Sequence, residues 1–300
     1  MEYLKKCPVC NSAKDPLPFL SCYDHLTRSG YYQLVRCTEC GLVFTNPRPH
    51  EESMAQFYKS SNYISHAGQQ RGVFQNLYFG IRSFMLGRKA AQIKKLNLPG
   101  RRLLDIGCGT GAFAAHMQQQ GFVVAGVEPE EAAREIALAS GVDVFEKISD
   151  PAIANGQRFD LITLWHVLEH QPWPMESLRQ YYDILQVGGF LLVAVPQFES
   201  FDGWFYRSSW AAYDLPRHQL HFSRESLVRA AASTGFRLAS CSGLPFDAFY
   251  VSMLSENNLK NPLRMIRALV VACWSNLLGL FKIRPWSSQV YVFQKTHHEV

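Results

Sequence analysis

Between Leu103 and Phe113 the chain reads Leu-Leu-Asp-Ile-Gly-Cys-Gly-Thr-Gly-Ala-Phe: a short apolar run, three alternate glycines, then a helix-forming stretch. That order predicts a strand, a tight loop and a helix. Gly107, Gly109 and Gly111 let the backbone turn sharply and approach a ligand with no Cβ in the way, and the following helix offers free N–H groups at its first turn. Glu128 closes the next apolar run, Val123 to Val127, where a carboxylate can accept from a ribose diol. Core packing alone makes no demand for alternate glycines, so a ligand is expected here.

Two cofactor classes fit this skeleton. Gly107, Gly109 and Ala112 nominally satisfy the dinucleotide pattern, but Asp105 sits at the end of the first strand, where a pyrophosphate would come close and be repelled. S-adenosylmethionine carries a sulfonium and an ammonium group and no phosphate, so the same carboxylate attracts it. The string LDIGCGTG with Glu128 behind it resembles motif I and the acidic motif II of class I methyltransferases, over roughly Arg101 to Lys295. That resemblance implies a Rossmann-like α/β sheet with helices on both faces. It also implies a cofactor-binding set of Asp105, Gly107, Cys108, Gly109, Gly111, Glu128, Pro129, Trp165 and Tyr63.

The N-terminus carries a second signal. Cys7-x-x-Cys10 and Cys37-x-x-Cys40 are matching knuckles that can place four thiolates on one tetrahedral ion, and a closed four-Cys site is structural, not catalytic. Zn²⁺ is the expected metal, in a small zinc ribbon whose strands run Phe19 to Cys22 and Tyr31 to Arg36. So small a module cannot fold on apolar burial alone, and metal binding should be coupled to its folding. Cys22, Cys108, Cys241 and Cys273 read as small apolar fillers. Eight Cys, and a polar start in place of a leader, point to reduced thiols and a cytoplasmic setting. The expected organisation is a ribbon module over 1–50, a helical linker or lid over 51–98, and a methyltransferase domain over 99–300. In the lid, Tyr63 and His66 are candidates to line the site.

Beyond Gly111 the chain alternates helix and strand. Helices are expected at 112–120, after Pro129 and at 175–185, and strands at 142–145, 159–165 and 190–195, with Gly188 and Gly189 as the break before the last of these. Ligands of parallel sheets bind beyond the carboxyl ends of the strands, so the loop after the fourth strand matters. It holds His166, Glu169 and His170. An imidazole there can serve as general base, and His166 with His170 could share a metal if the segment were helical. The stretch resembles the LEH segment of small-molecule methyltransferases, including ubiquinone-biosynthesis O-methyltransferases, with His166 where those enzymes often carry another polar or acidic residue. A later loop, Pro216-Arg217-His218-Gln219-Leu220-His221-Phe222-Ser223, resembles that of a broad group of bacterial methyltransferases. His166, His221 and His218 are therefore the catalytic candidates, and Ser223 the cap of the next helix.

Little more is asked of the protein than in-line alignment and removal of a proton. The chain lacks the Asn/Asp-Pro-Pro-aromatic string of many N-methylases, which favours an oxygen or carbon of a small-molecule acceptor. Sugar C-methyltransferases with a four-Cys zinc module resemble it in layout, and a sugar- or lipid-linked acceptor fits. Of the net charge of +5, the stretch 255–300 supplies +4, from six Lys and Arg against two Glu. There an apolar helical insertion at about 262–283 can cover the pocket, form a dimer contact or lie on an anionic membrane. The alternatives are an RNA methyltransferase gripping nucleic acid with the ribbon, and a non-catalytic cofactor-binding protein. Six basic against four acidic residues in the first fifty disfavour nucleic acid.

Overall fold

The computed structural model describes residues 1–58, 73–156 and 158–296. Tyr63 and His66, with the 59–72 stretch of the expected lid, lie outside them. The chain divides into two compact units. One comprises Met1–Ser60, His166–Gln180 and Val193–Phe293; the other comprises Ser61–Trp165, Tyr181–Leu192 and Gln294–Val300.

In the first unit, strands β1 (Leu17–Tyr23), β2 (Tyr31–Arg36) and β3 (Val43–Thr45) form an antiparallel meander. The other unit begins with helix α1 (Val73–Lys94), followed by β4 (Arg102–Ile106), α2 (Ala112–Gln119), β5 (Val123–Val127), α3 (Glu131–Ala139), β6 (Asp143–Phe145), the short α4 (Pro151–Ala154) and β7 (Phe159–Trp165). Helix α5 (Pro174–Ile184) leads into β8 (Leu185–Pro196), and α6 (Phe201–Tyr206), β9 (Leu220–His221), α7 (Arg224–Ala232), β10 (Phe236–Gly243), α8 (Pro245–Asn258), α9 (Arg264–Leu280) and β11 (Ser288–Lys295) complete the chain.

The large sheet runs β10-β11-β8-β7-β4-β5-β6. Strands β7, β4, β5 and β6 pair with one another in parallel. Leu103 and Leu104 of β4, and Leu161, Ile162 and Leu164 of β7, have no exposed surface, as strands covered on both faces require. The chain builds outward from β4 to β5 and β6, then returns to β7 on the other side of β4. The order therefore reverses at β4, and the crevice beyond its carboxyl end is where such sheets take ligands.

Expected and observed elements differ in one instructive place. Gly188 and Gly189 do not break the chain before a strand at 190–195; the strand already begins at Leu185 and runs through them. Gly188 has φ +78°, so the strand absorbs an irregularity there instead of ending. Ser223 does cap α7: its side chain accepts from the Ser226 N–H, and the Ser226 hydroxyl accepts from the Ser223 N–H.

The four-stranded sheet has the order β1-β2-β3-β9, so Leu220–His221 supplies a strand to the sheet of the N-terminal hairpin. Cys22, Tyr32, Leu34 and Val43 pack with Trp210, Tyr213 and Leu215 in one core. Buried polar contacts add to it. Arg217, 1% exposed, donates through Nη2 to Asp214 at 2.6 Å and to the fully buried Asp24 at 3.3 Å. Arg48 pairs with Glu2, donates to the Pro172 carbonyl and Gln219 Oε1, and lies over the Trp173 ring at 4.5 Å. Helix α9 turns Ala268, Val271, Ala272 and Ser275 inward. Ser275 and Asn276, the polar interruptions of that apolar stretch, anchor it: Ser275 donates to Asp202 and Asn276 to the Pro245 carbonyl.

Candidate functional site

The glycine loop is held by backbone groups. Gly107 and Cys108 N–H both donate to the Val127 carbonyl, at 2.7 and 3.1 Å, locking the loop to the end of β5. Gly107, Gly109 and Gly111 all have φ between +54° and +74°, the left-handed region. The two latter glycines serve different needs. A Cβ on Gly109 would meet open space, whereas one on Gly111 would come within 2.8 Å of the Ala137 Cβ on α3. Gly109 therefore leaves room for a ligand, and Gly111 lets α3 approach.

Glu128 closes the loop from the other side. Its Oε2 accepts from the Gly109 N–H at 2.8 Å and its Oε1 from the Glu130 N–H at 3.0 Å, while Arg134 donates to its carbonyl. Each carboxylate oxygen keeps a further lone pair for a ribose hydroxyl. Pro129, next in the chain, is exposed. Cys108 is buried, and Cβ-less Gly126 leaves room for its sulfur; burial pushes the Cys108 thiol up to about 12, so it stays a neutral apolar filler.

Asp105 is 2% exposed and accepts from Thr163 Oγ1 at 2.7 Å. Burial pushes its carboxyl up to about 7, against the Thr163 hydrogen bond and the charge of Lys89. Lys89 of α1 lies 4.0 Å from the centre of the Trp165 ring, whose other neighbour Phe113 is set edge-on at 5.4 Å. The Trp165 indole N–H has no partner among the described residues.

In the ribbon-bearing unit the side chains do the positioning. Cys7, Cys10, Cys37 and Cys40 bring their sulfurs together, with Cys7–Cys40 and Cys10–Cys37 each at 3.6 Å. A tetrahedral ion with metal–sulfur bonds of about 2.3 Å sets its sulfurs about 3.8 Å apart, so the cluster fits such an ion. Cys40 is lowered to about 5 by the thiol of Cys7.

His166 adopts φ +58°, and its N–H donates to the Ala194 carbonyl. The segment forms a 3₁₀ turn over Leu168–His170 and His166 lies before it with φ +58°, so His166 and His170 are not on one α-helical face and the shared metal site that a helix would allow does not form. Instead His166 Nε2 lies 3.0 Å from Asp247 Oδ2 and Nδ1 lies 3.4 Å from Glu169 Oε1. Burial opposes the charge on the ring, but the two carboxylates outweigh it and push His166 up to about 10. Asp247, on the first turn of α8, is a partner that sequence reasoning missed; nothing local marks it, because the pairing spans eighty residues of chain.

His218 donates from Nδ1 to the Ala212 carbonyl at 2.8 Å, and its ring meets that of His170 at 82° with centroids 4.4 Å apart. His221 is 4% exposed, lies edge-on to Tyr213, and its Nε2 has no partner among the described residues; burial holds it well below the usual imidazole range and thus neutral.

A parallel sheet with a glycine loop at its switch point and an acid closing the neighbouring strand is the construction of a Rossmann-like methyltransferase. The family model described as a methyltransferase domain matches residues 81–240, more than half of the chain, and the chain belongs to that family. A relative is the ubiquinone biosynthesis O-methyltransferase of Pseudomonas entomophila (strain L48), 36% identical over 103 residues that make up 32% of this chain and 44% of the relative. The match thus spans less than half the length of that enzyme. Among solved structures, magnesium protoporphyrin IX methyltransferase from Synechocystis PCC 6803 with bound SAH aligns at TM-score 0.52 and 13% identity, over 82% of this chain and all of that one. The cyclopropane synthase MmaA2 from Mycobacterium tuberculosis aligns at TM-score 0.50 and 19% identity, over 83% and 99%. At those identities the likeness is one of fold.

Proposed function

We propose that the chain is an S-adenosylmethionine-dependent methyltransferase acting on an oxygen or carbon of a small-molecule acceptor, with sugar- or lipid-linked molecules as the acceptor class. The observation that carries this reading is Asp105: a carboxylate 2% exposed beside the glycine loop, which burial raises to about 7 even with Lys89 nearby. A dinucleotide brings phosphates to that place and a methyl donor brings cations. When bound, S-adenosylmethionine supplies the electrophilic methyl and its own leaving group. The protein's part is to hold the donor through Asp105, the loop N–H groups and Glu128, and to set the acceptor in line.

His166 directly follows Trp165 and belongs to the acceptor side of this reading. Held as an imidazolium with Nε2 on Asp247 and Nδ1 facing Glu169, it contributes a positive charge that stabilises the negative charge left as the acceptor loses its proton. His221, neutral and unpaired, is a further acceptor-lining group. Cys7, Cys10, Cys37 and Cys40 hold a structural Zn²⁺, and their reduced state suits a cytoplasmic setting.

The test is calorimetric titration of the zinc-loaded protein with S-adenosylmethionine. Saturable binding, weakened in Asp105→Asn and Glu128→Ala, is the expected result and opens the acceptor screen. Absence of binding to the wild-type protein overturns the reading.

We propose also that α9 seats the enzyme on an anionic membrane surface. Its inner face is packed, while Met265, Ile266, Leu269, Val270 and Trp274 remain exposed between Arg264 and Lys282. Among the described residues no helix is long and apolar enough to cross a membrane. Co-sedimentation with phosphatidylglycerol vesicles, lost in Leu269→Ser/Trp274→Ser, is expected; a protein that stays in solution and scatters light as a dimer through this face would sink the idea.

A further inference from the structure

Glu169 is a deeply buried carboxylate of the ribbon-bearing unit. It is 1% exposed, and neither carboxylate oxygen receives a hydrogen bond from a described residue. His166 Nδ1 stands 3.4 Å from one oxygen and balances part of the charge, without alignment as a hydrogen bond. A buried carboxylate has about four lone-pair sites to satisfy, and leaving them empty is expensive.

Two imidazoles beside it are prepared as lone-pair donors. His218 Nδ1 is 2.8 Å from the Ala212 carbonyl, and His170 Nδ1 is 3.2 Å from the Arg217 carbonyl and 3.0 Å from the Tyr58 hydroxyl. The Ala212 carbonyl can only accept, so His218 carries a proton on Nδ1 and turns Nε2 away from it; His170 Nδ1, shared between the Arg217 carbonyl and the Tyr58 hydroxyl, likewise leaves Nε2 as the ring atom to meet an ion. Ring N–H groups tied to backbone carbonyls are the usual support of metal-bound histidines. Asp214 is taken at both oxygens by the Arg217 guanidinium, at 2.6 and 3.0 Å, and its Oδ2 stands 4.0 Å from His218 Nε2, beyond hydrogen-bond reach, so that nitrogen can turn to an ion.

We propose that Glu169, His170 and His218 form a second metal centre, for a divalent transition ion of the zinc class. One donor atom from each lies within 4.8 Å of the others, and an ion with bonds of about 2.0–2.2 Å draws them together by small side-chain movements. The donor set is two imidazoles and one carboxylate, which suits zinc or iron(II) over calcium or magnesium. It differs from the four-thiolate ribbon in leaving coordination positions for water or for oxygen atoms of a bound molecule, so this centre is open where the ribbon is closed. The segments that build it, the 3₁₀ turn at 168–170 and the loop before β9, also meet through the Gln219 N–H to Glu169 carbonyl bond of 2.9 Å.

The experiment counts ions in the full-length protein. Purified under reducing conditions, saturated with ZnCl₂ and passed over a desalting column, the wild type should retain two zinc per chain by elemental analysis. Glu169→Gln and His218→Asn should each retain one, and substitution with Co²⁺ should give an unchanged cobalt–thiolate absorption from the ribbon. The second ion should be weakened by more than the roughly 10–100-fold that loss of a mere supporting partner produces. One zinc per wild-type chain overturns the proposal, as does retention of both ions in the two variants. Should either variant lose the ribbon's cobalt signal and so be misfolded, titration of one-zinc wild-type protein with ZnCl₂ against a chromogenic chelator decides alone: a second saturable equivalent supports the centre, and its absence overturns it. Binding of S-adenosylmethionine measured on the same samples is independent of the ion count, so failure of the metal centre and failure of the methyl-transfer reading are told apart.

Discussion

In the glycine-loop unit the groups that shape the candidate site are largely main-chain ones drawn from a short run of sequence: Gly107, Gly109 and Gly111 form the loop, and Val127 and Glu128 of the adjoining strand fasten it. In the ribbon-bearing unit they are side chains gathered from far apart, with Asp24 meeting Arg217, Arg48 meeting Gln219, and His166 meeting Asp247. The first construction tolerates change in its surroundings because the backbone geometry is local. The second depends on every segment arriving, since the buried charges of Asp24 and Arg48 are met by residues on other segments.

The sharpest way to break that contrast is to remove the ribbon's metal. Cys37→Ser should abolish zinc retention at the ribbon and unfold the sheet to which β9 belongs, so that thermal melts show loss of the cooperative transition of this unit, a change of several kcal/mol. Persistence of that transition without zinc would mean the ribbon is not coupled to the acceptor loop. Next in size is Arg217→Met. It leaves Asp24 buried without its cation and should lower stability by about 3–5 kcal/mol in urea titrations; a change below about 1 kcal/mol would show that Thr27 and Ser29, which also donate to Asp24, suffice.

In the other unit, Asp105→Asn should weaken S-adenosylmethionine by about 10–100-fold. The sign of its pH dependence follows from the raised carboxyl. Below about 7 the free protein holds Asp105 protonated, so donor binding to wild type should weaken as pH falls through that value and should release a proton, seen as a dependence of binding enthalpy on buffer. A raised folded pKa also opposes folding as pH rises through about 7, so the unliganded Asn variant should gain stability over wild type at pH 8 and little at pH 4. Flat profiles in both measurements would contradict the burial argument. The smallest effect is expected of Gly111→Ala, where the close Ala137 and the positive φ together cost about 1–3 kcal/mol in chemical denaturation.

The same contrast explains what could be read in advance. The LDIGCGTG loop, Asp105 and Glu128 are legible because strand, glycine and acid follow one another in register, and the four Cys because two knuckles suffice to define a tetrahedron. The Ser223 cap is legible for the same local reason. Strand β10 and helix α8 carry no such signature, and Asp247 could not be matched to His166 from spacing. The polar pair Ser275–Asn276, which reads as a flaw in an apolar helix, turns out to be its anchor on Asp202 and Pro245.

By itself the sequence determined the alternation of strand and helix, the cofactor loop and the thiolate cluster, because propensity, periodicity and short-range spacing act within a few residues of chain. Only the tertiary structure decided that β9 completes the sheet of the N-terminal hairpin, that His166 is held between two acids, and that Glu169, His170 and His218 are brought together. Those are outcomes of long-range packing, where burial and charge balance depend on which distant segments meet.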